Sequence, residues 1–245
     1  MSILTIYCRE LKSYFAQPTA YAIIVIFIFL SLGLTFSFGQ FIRVGDASLS
    51  NPYSFFFWHP WLYMLLAPAI AMKLWVDEQR NGTIELLGTF PLSAWSVIAG
   101  KYLTAATVSL VALLLTFPIV ITVNYLGSPD NVMIVSGYIG SFLVCCTFLA
   151  VTMLVSACTR DQIVCLIVSA AICTIMVLCG YDDFTRELAN ATSASTAAAL
   201  TSLGVWDHFS SLNRGLFRIQ DMVWFASFIG LCLVGTSTIL SAKRA

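Results

Sequence analysis

Residues 131–159 read NVMIVSGYIGSFLVCCTFLAVTMLVSACT, with Asp130 and Arg160 at the borders and no charge between them. A helix needs about 20 apolar residues to cross a hydrocarbon core of roughly 30 Å, so this stretch is long enough to span a bilayer. It is apolar throughout instead of alternating with a period of two, which selects a helix over a barrel strand. Outward from it, charge-free runs recur at 13–42, 47–72, 102–129, 162–181 and 222–242. Six spans are expected, at 20–42, 59–76, 103–126, 133–157, 162–180 and 221–241.

Composition agrees. Of 245 residues, 59% are hydrophobic and only 10% charged, with a mean hydropathy of +0.90. A soluble domain carries about 25% charged residues, so the expected class is an all-α polytopic membrane protein whose solvent is the lipid bilayer. Twelve basic side chains balance twelve acidic ones. That leaves no basic excess to neutralise phosphates, which excludes a nucleic-acid partner. The eight cysteines lie on the N-terminal helix or in and at the ends of spans, where cysteine behaves as a small hydrophobe. With no C-x-x-C pair and no histidine nearby, no metal site is expected.

The loops set the orientation. With the N-terminus inside, the inner segments hold Arg9, Lys12, Lys73, Arg80, Lys101, Arg160, Lys243 and Arg244. The outer ones hold Arg43, Arg186, Arg214 and Arg218, three of them in one long loop. The basic excess places both termini in the cytoplasm. Residues 1–17 precede the first span and put Ile3, Leu4, Tyr7, Leu11, Tyr14 and Phe15 on one helical stripe before Pro18. An amphipathic interfacial helix is expected there. A signal peptide is disfavoured, because the following apolar run is too long and no small-residue cleavage site follows it. The stretch 188–206, LANATSASTAAALTSLGVW, is rich in Ala, Ser and Thr. Its transfer to lipid gains little, so a re-entrant or interfacial element is expected instead of a span.

Residues that would signal chemistry are scarce. No charged residue falls at mid-span, where ionisable groups are expensive and kept for function. His59 in FWHPW and His208 in WDHFSSL sit at span borders among aromatic residues, as interfacial residues do. Gly140-Ser141 with His208 is a weak match to an intramembrane serine hydrolase. Gly100-Lys101 lacks the upstream glycine of a phosphate-binding loop. No catalytic, cofactor-binding or metal-binding residue is therefore expected in this chain, and any energy source must come from a partner. Pro68 and Pro118 can kink spans 2 and 3. An intramembrane enzyme and a passive channel remain as alternative readings.

The densest charges follow span 2, in KLWVDEQRNGTIELLGTFPLSAWSVIAGKYL, residues 73–103. Lys73 ends the span, and Asp77, Glu78 and Arg80 carry a polar helical turn outward. Asn81-Gly82 is a helix-end signal. Thr83 can cap a short helix with Glu85 near its positive end and Leu86 and Leu87 on its apolar side, until Pro91 stops it. Ser93 can cap the next helix, which leads through Lys101 into span 3. A solvated loop needs neither two caps nor an exposed Leu-Leu, so residues 77–95 read as a rigid docking element.

This string resembles the E-x-x-x-G-T-hydrophobic-E-x-L…P-x-S…G-K signature of ABC-2 type transporter permeases. Residues 208–225, HFSSLNRGLFRIQDMVWF, are similar to a segment of the gliding-motility branch of that family. The resemblance implies a single transmembrane domain over 1–245 that works as a half-transporter. Such a chain pairs with itself or a second permease and with two ATP-binding cassette subunits, which bind the ATP and Mg, sometimes with an accessory periplasmic or membrane subunit, in the inner (plasma) membrane. It implies that Glu78, Arg80, Gly82, Thr83, Glu85, Leu86 and Leu87 form the coupling helix against the ATPase. Arg160 and Asp161 would make a second contact, and residues 183–219 would form outer re-entrant helices. Export and force transmission to outer components are both compatible with it.

Overall fold

The computed structural model describes residues 3–37, 53–82, 93–126, 130–181, 184–185, 201–202 and 204–242. Eleven helices are delimited among them: α1 (Ile3–Phe15), α2 (Pro18–Ser37), α3 (Tyr53–Phe57), α4 (His59–Ala71), α5 (Lys73–Arg80), α6 (Ala94–Leu114), α7 (Pro118–Leu126), α8 (Asn131–Cys158), α9 (Gln162–Leu178), α10 (Val205–Asn213) and α11 (Ile219–Ala242). No strand occurs among the described residues.

Among the described residues, four segments are long and apolar enough to cross a membrane: Pro18–Phe36, Ala94–Tyr125, Asn131–Cys158 and Ile219–Ala242. Gln162–Leu178 is apolar but shorter, at 17 residues. The expected second span, 59–76, is divided instead. Helix α4 carries Pro68 internally and ends at Ala71, and α5 continues from Lys73 after a single residue, Met72. The expected third span is longer than 103–126, because Ser93 caps α6 ten residues earlier. That span is interrupted at 115–117, where the missing amide of Pro118 cannot continue the ladder.

Helix α8 is the central post. In its most apolar window 78% of residues are buried within the protein, against 28% for α2 and 22% for α11. It packs on α4, α6, α9, α10 and α11. The sequence allows this because small residues line it: Gly137 and Gly140 abut the side chains of Phe56 and Leu212, and Ser141, Cys145, Ala150 and Ala157 are buried. Small residues let membrane helices approach closely, where apolar attraction alone offers little because lipid is equally apolar. The hydroxyls of the apolar helices are satisfied locally: Thr104, Ser109, Thr147, Thr152, Ser169 and Thr236 each donate to the carbonyl one turn back. That is how polar residues are tolerated inside a span.

Helices α8 and α11 run antiparallel, since Gly235 abuts Leu154 and Phe225 lies beside His208 near the other end. The bundle therefore has two ends. One gathers α1, α5, the start of α6, the end of α8 and the start of α9. The other gathers α3, α10, the start of α8 and the start of α11.

Helix α1 departs from the expected stripe. The residue it buries is Ile6, which meets Gly100 of α6, while Ile3 and Leu4 remain exposed. Tyr7 pairs its hydroxyl with Thr107 at 3.0 Å, and Tyr14 donates to the Ile70 carbonyl at 3.3 Å. The helix thus presents Ile6, Tyr7, Glu10 and Tyr14 to the protein and leaves Leu4 on the outer side. Hydrophobic periodicity cannot separate those two faces, because an interfacial helix meets lipid as well as protein.

Candidate functional site

The polar chemistry concentrates at the α1–α5–α6 end. Lys101 is 4% exposed and stands one residue after Gly100, the glycine that admits Ile6 of α1. Its Nζ lies 2.9 Å from Glu78 Oε1 and 3.7 Å from Glu10 Oε2, and 5.3 Å from the ring centre of Trp75. One buried cation therefore ties three elements together: the N-terminal helix, the polar turn after α4, and the first turns of α6. Burying it without partners would be costly; two carboxylates and an aromatic face offset that cost. Glu78, assigned by resemblance to an ATPase contact, turns one carboxylate oxygen inward to this lysine.

Beside it, the polar turn is fastened to the α8–α9 corner. Gln79 donates its amide to the carbonyls of Ser156 and Ala157, at 3.0 and 2.9 Å. Those carbonyls belong to the last turn of α8, where intrahelical partners run out. Gln162 donates to Asp77 Oδ1. Asp161 caps α9, its Oδ1 accepting from the amides of Ile163 and Val164 at 2.8 and 3.3 Å. The two regions singled out in the sequence, after span 2 and between spans 4 and 5, are thus joined through side chains the sequence reading did not name: Gln79 and Gln162. Only their adjacency to the motif could have marked them, since their partners lie 77 and 85 residues away.

Helix α5 ends where Asn81-Gly82 signalled, with Asn81 at the cap and Gly82 at φ +68°, a conformation that suits glycine. Arg80, Gly82, Arg160 and Asp161 are exposed at this end. Ser93 accepts from the Ser96 amide as the expected cap of the following helix. Thr83, Glu85, Leu86 and Leu87, and most of the expected coupling helix with them, lie outside the described residues.

The histidines are placed differently from the serine-hydrolase alternative. His208 does not meet Ser141. Its Nδ1 lies 2.7 Å from Asp221 Oδ1, Ser211 donates to Asp221 Oδ2, and Trp224 stacks on the imidazole at 4.5 Å. The carboxylate sits between the hydroxyl and the imidazole, so the histidine cannot act as the base for Ser211. Ser141 is bonded instead to His59 Nδ1, at 2.7 Å. Both residues are fully buried, and Phe27, Phe55, Phe56 and Tyr63 surround the imidazole. His59 is therefore a core residue inside its aromatic cluster, not an interfacial one, and its Nε2 has no hydrogen-bond partner among the described residues. A nucleophile needs a base that is oriented by a third group and reachable by substrate; this sealed pair offers neither. The eight cysteines are all free thiols.

Long apolar helices around a small-residue post define a polytopic membrane protein. The family model for ABC-2 family transporter proteins matches residues 9–235, and the chain belongs to that family. It is a permease component of an ABC transporter, and its family is a membrane domain, not an ATP-binding one. No curated protein matches the chain.

Proposed function

We propose that this chain is the transmembrane half of an ABC transporter that receives the closing motion of separate ATP-binding subunits through residues 77–95. In this reading it has six spans and both termini in the cytoplasm, in an inner (plasma) membrane. It dimerises, with itself or with a second permease, and engages two ATPase subunits, which alone hold ATP and Mg. Arg80, Gly82, Thr83, Glu85, Leu86 and Leu87 form the contact, and Glu78 anchors its base on Lys101. Arg160 and Asp161 make the second contact, residues 183–219 close the outer end, and an accessory subunit completes the gliding-motility-like assembly. The output is export of an apolar or amphipathic substrate or force passed to outer components.

The observation that carries the reading is the fastening of α5 to three other elements through Lys101, Gln79 and Gln162. A ligand shifts a conformational equilibrium only by binding its two states differently. A docking element rigidly joined to several helices passes that difference into the bundle, and a loose loop does not.

The test is affinity purification of the tagged chain from native membranes in mild detergent. A phosphate-loop ATPase is expected to co-purify, and Glu85→Arg is expected to lower its recovery without unfolding the permease. Unchanged recovery and an unchanged ATPase rate in that variant would overturn the coupling assignment.

A further inference from the structure

At the other end of the bundle, α10 turns into α11 through residues 214–218. Gly215 takes φ +78°, and the turn is closed by Arg214 N to Ser210 O at 3.2 Å, Gly215 N to Leu212 O at 2.9 Å and Leu216 N to Ser211 O at 3.1 Å. This is a helix end finished by a left-handed glycine, and it fixes the chain direction. It also brings Arg214 and Arg218 to one cavity of about 160 Å³, walled by Trp206, Ser210, Ser211 and Leu216, with Asp207 on one side.

Among the described residues the charge balance inside is two guanidiniums against one carboxylate, and neither arginine makes an ion pair. The nearby Asp221 is already engaged by His208 and Ser211. The wall hydroxyls are spent as donors too: Ser211 on Asp221 and Ser210 on the Asp207 carbonyl, at 2.9 Å for the latter. Among the described wall residues the donors left free are therefore the guanidiniums, whose fork geometry matches an anion with several oxygens. Arg218 directly precedes α11, so the positive end of a 24-residue helix adds to the same field. At about 30 Å³ per water, the cavity has room for roughly five water-sized groups, the size of a phosphate.

Its setting favours one source of that phosphate. Helix α11 is a candidate span that begins at Ile219, so the cavity lies at the membrane border. Leu216, Phe217 and Ile219, beside the arginines, are 49%, 51% and 82% exposed. An apolar fringe next to a cationic cavity at the border suits a lipid, with its headgroup on the arginines and its chains along the fringe. We propose that the 206–218 cavity binds the phosphate of an anionic phospholipid headgroup. This holds whether or not residues 77–95 dock an ATPase.

The test is native mass spectrometry of the purified full chain with phosphatidylglycerol, phosphatidylcholine and inorganic phosphate as probes. Preferential binding of phosphatidylglycerol is expected, weakened about 10–30-fold by Arg214→Gln with Arg218→Gln. Partial recovery is expected with lysine at both positions. Asp207→Asn, which removes the opposing charge, is expected to tighten binding severalfold, so the outcome does not hang on whether the double variant folds. Displacement of the lipid by millimolar inorganic phosphate would support the phosphate site but overturn the lipid as its source. Equal phosphatidylglycerol binding by the parent, the double variant and Asp207→Asn would overturn the site itself.

Discussion

Replacing Lys101 with methionine removes the cation that joins α1, α5 and α6 while keeping most of its volume. At an effective dielectric near 20, unit charges at 2.9 and 3.7 Å attract by about 6 and about 4.5 kcal/mol before desolvation is counted. Taking the ammonium out of water offsets much of this, and removing one partner of a buried pair costs about 3–5 kcal/mol in practice. Glu10 and Glu78 keep 22% and 17% of their side-chain exposure, so water restores part of their solvation once the lysine is gone. A loss of about 2–4 kcal/mol is expected, the lower part of that range being the more exposed limit. For a chain of this size that lowers the thermal midpoint by roughly 5–15 °C. The assay is thermal and SDS unfolding of the purified permease, run as a double-mutant cycle with Glu78→Gln. A coupling of at least about 1 kcal/mol is expected, because the two groups touch. A methionine variant within about 0.5 kcal/mol of the parent, the range of an ordinary surface change, would refute the view that this lysine fastens the three elements.

A Cβ on Gly137 would stand 2.5 Å from ring carbons of Phe56, so Gly137→Ala should cost about 1–3 kcal/mol and be partly rescued by Phe56→Leu, read by thermal unfolding. Ser141→Ala leaves the buried His59 Nδ1 without its partner and should cost about 1–3 kcal/mol while sparing function in protein that stays folded. Complete loss of function in a folded Ser141→Ala variant would restore the enzyme reading. On α1, burial raises the Tyr14 phenol above its ordinary value. A raised value means its contribution to stability is whole below the unfolded value of about 10 and is lost as pH rises beyond it. Ultraviolet titration of the parent against Tyr14→Phe should therefore show no tyrosinate step from this residue near pH 10; such a step would contradict it.

The features legible in the chain are those that depend on short-range pattern. Runs without charge mark helices because the bilayer, as solvent, acts on each stretch independently. Asn81-Gly82 and Ser93 mark a helix end and a helix start because caps are made by residues within three positions of each other. The motif from Glu78 to Lys101 marked the family by the same local logic. Which groups meet was set by the packing of the helices. Glu10 and Lys101, Gln79 and Ser156, and His59 and Ser141 are far apart in the chain, and nothing in their local context names the partner. That packing also decided the division of span 2 at Met72 and which face of α1 turns to α6. In an apolar medium every face of a helix is equally at ease, so hydropathy carries no register. Close approach through small residues such as Gly100 and Gly137, and the need to satisfy each buried polar group, supply the register instead.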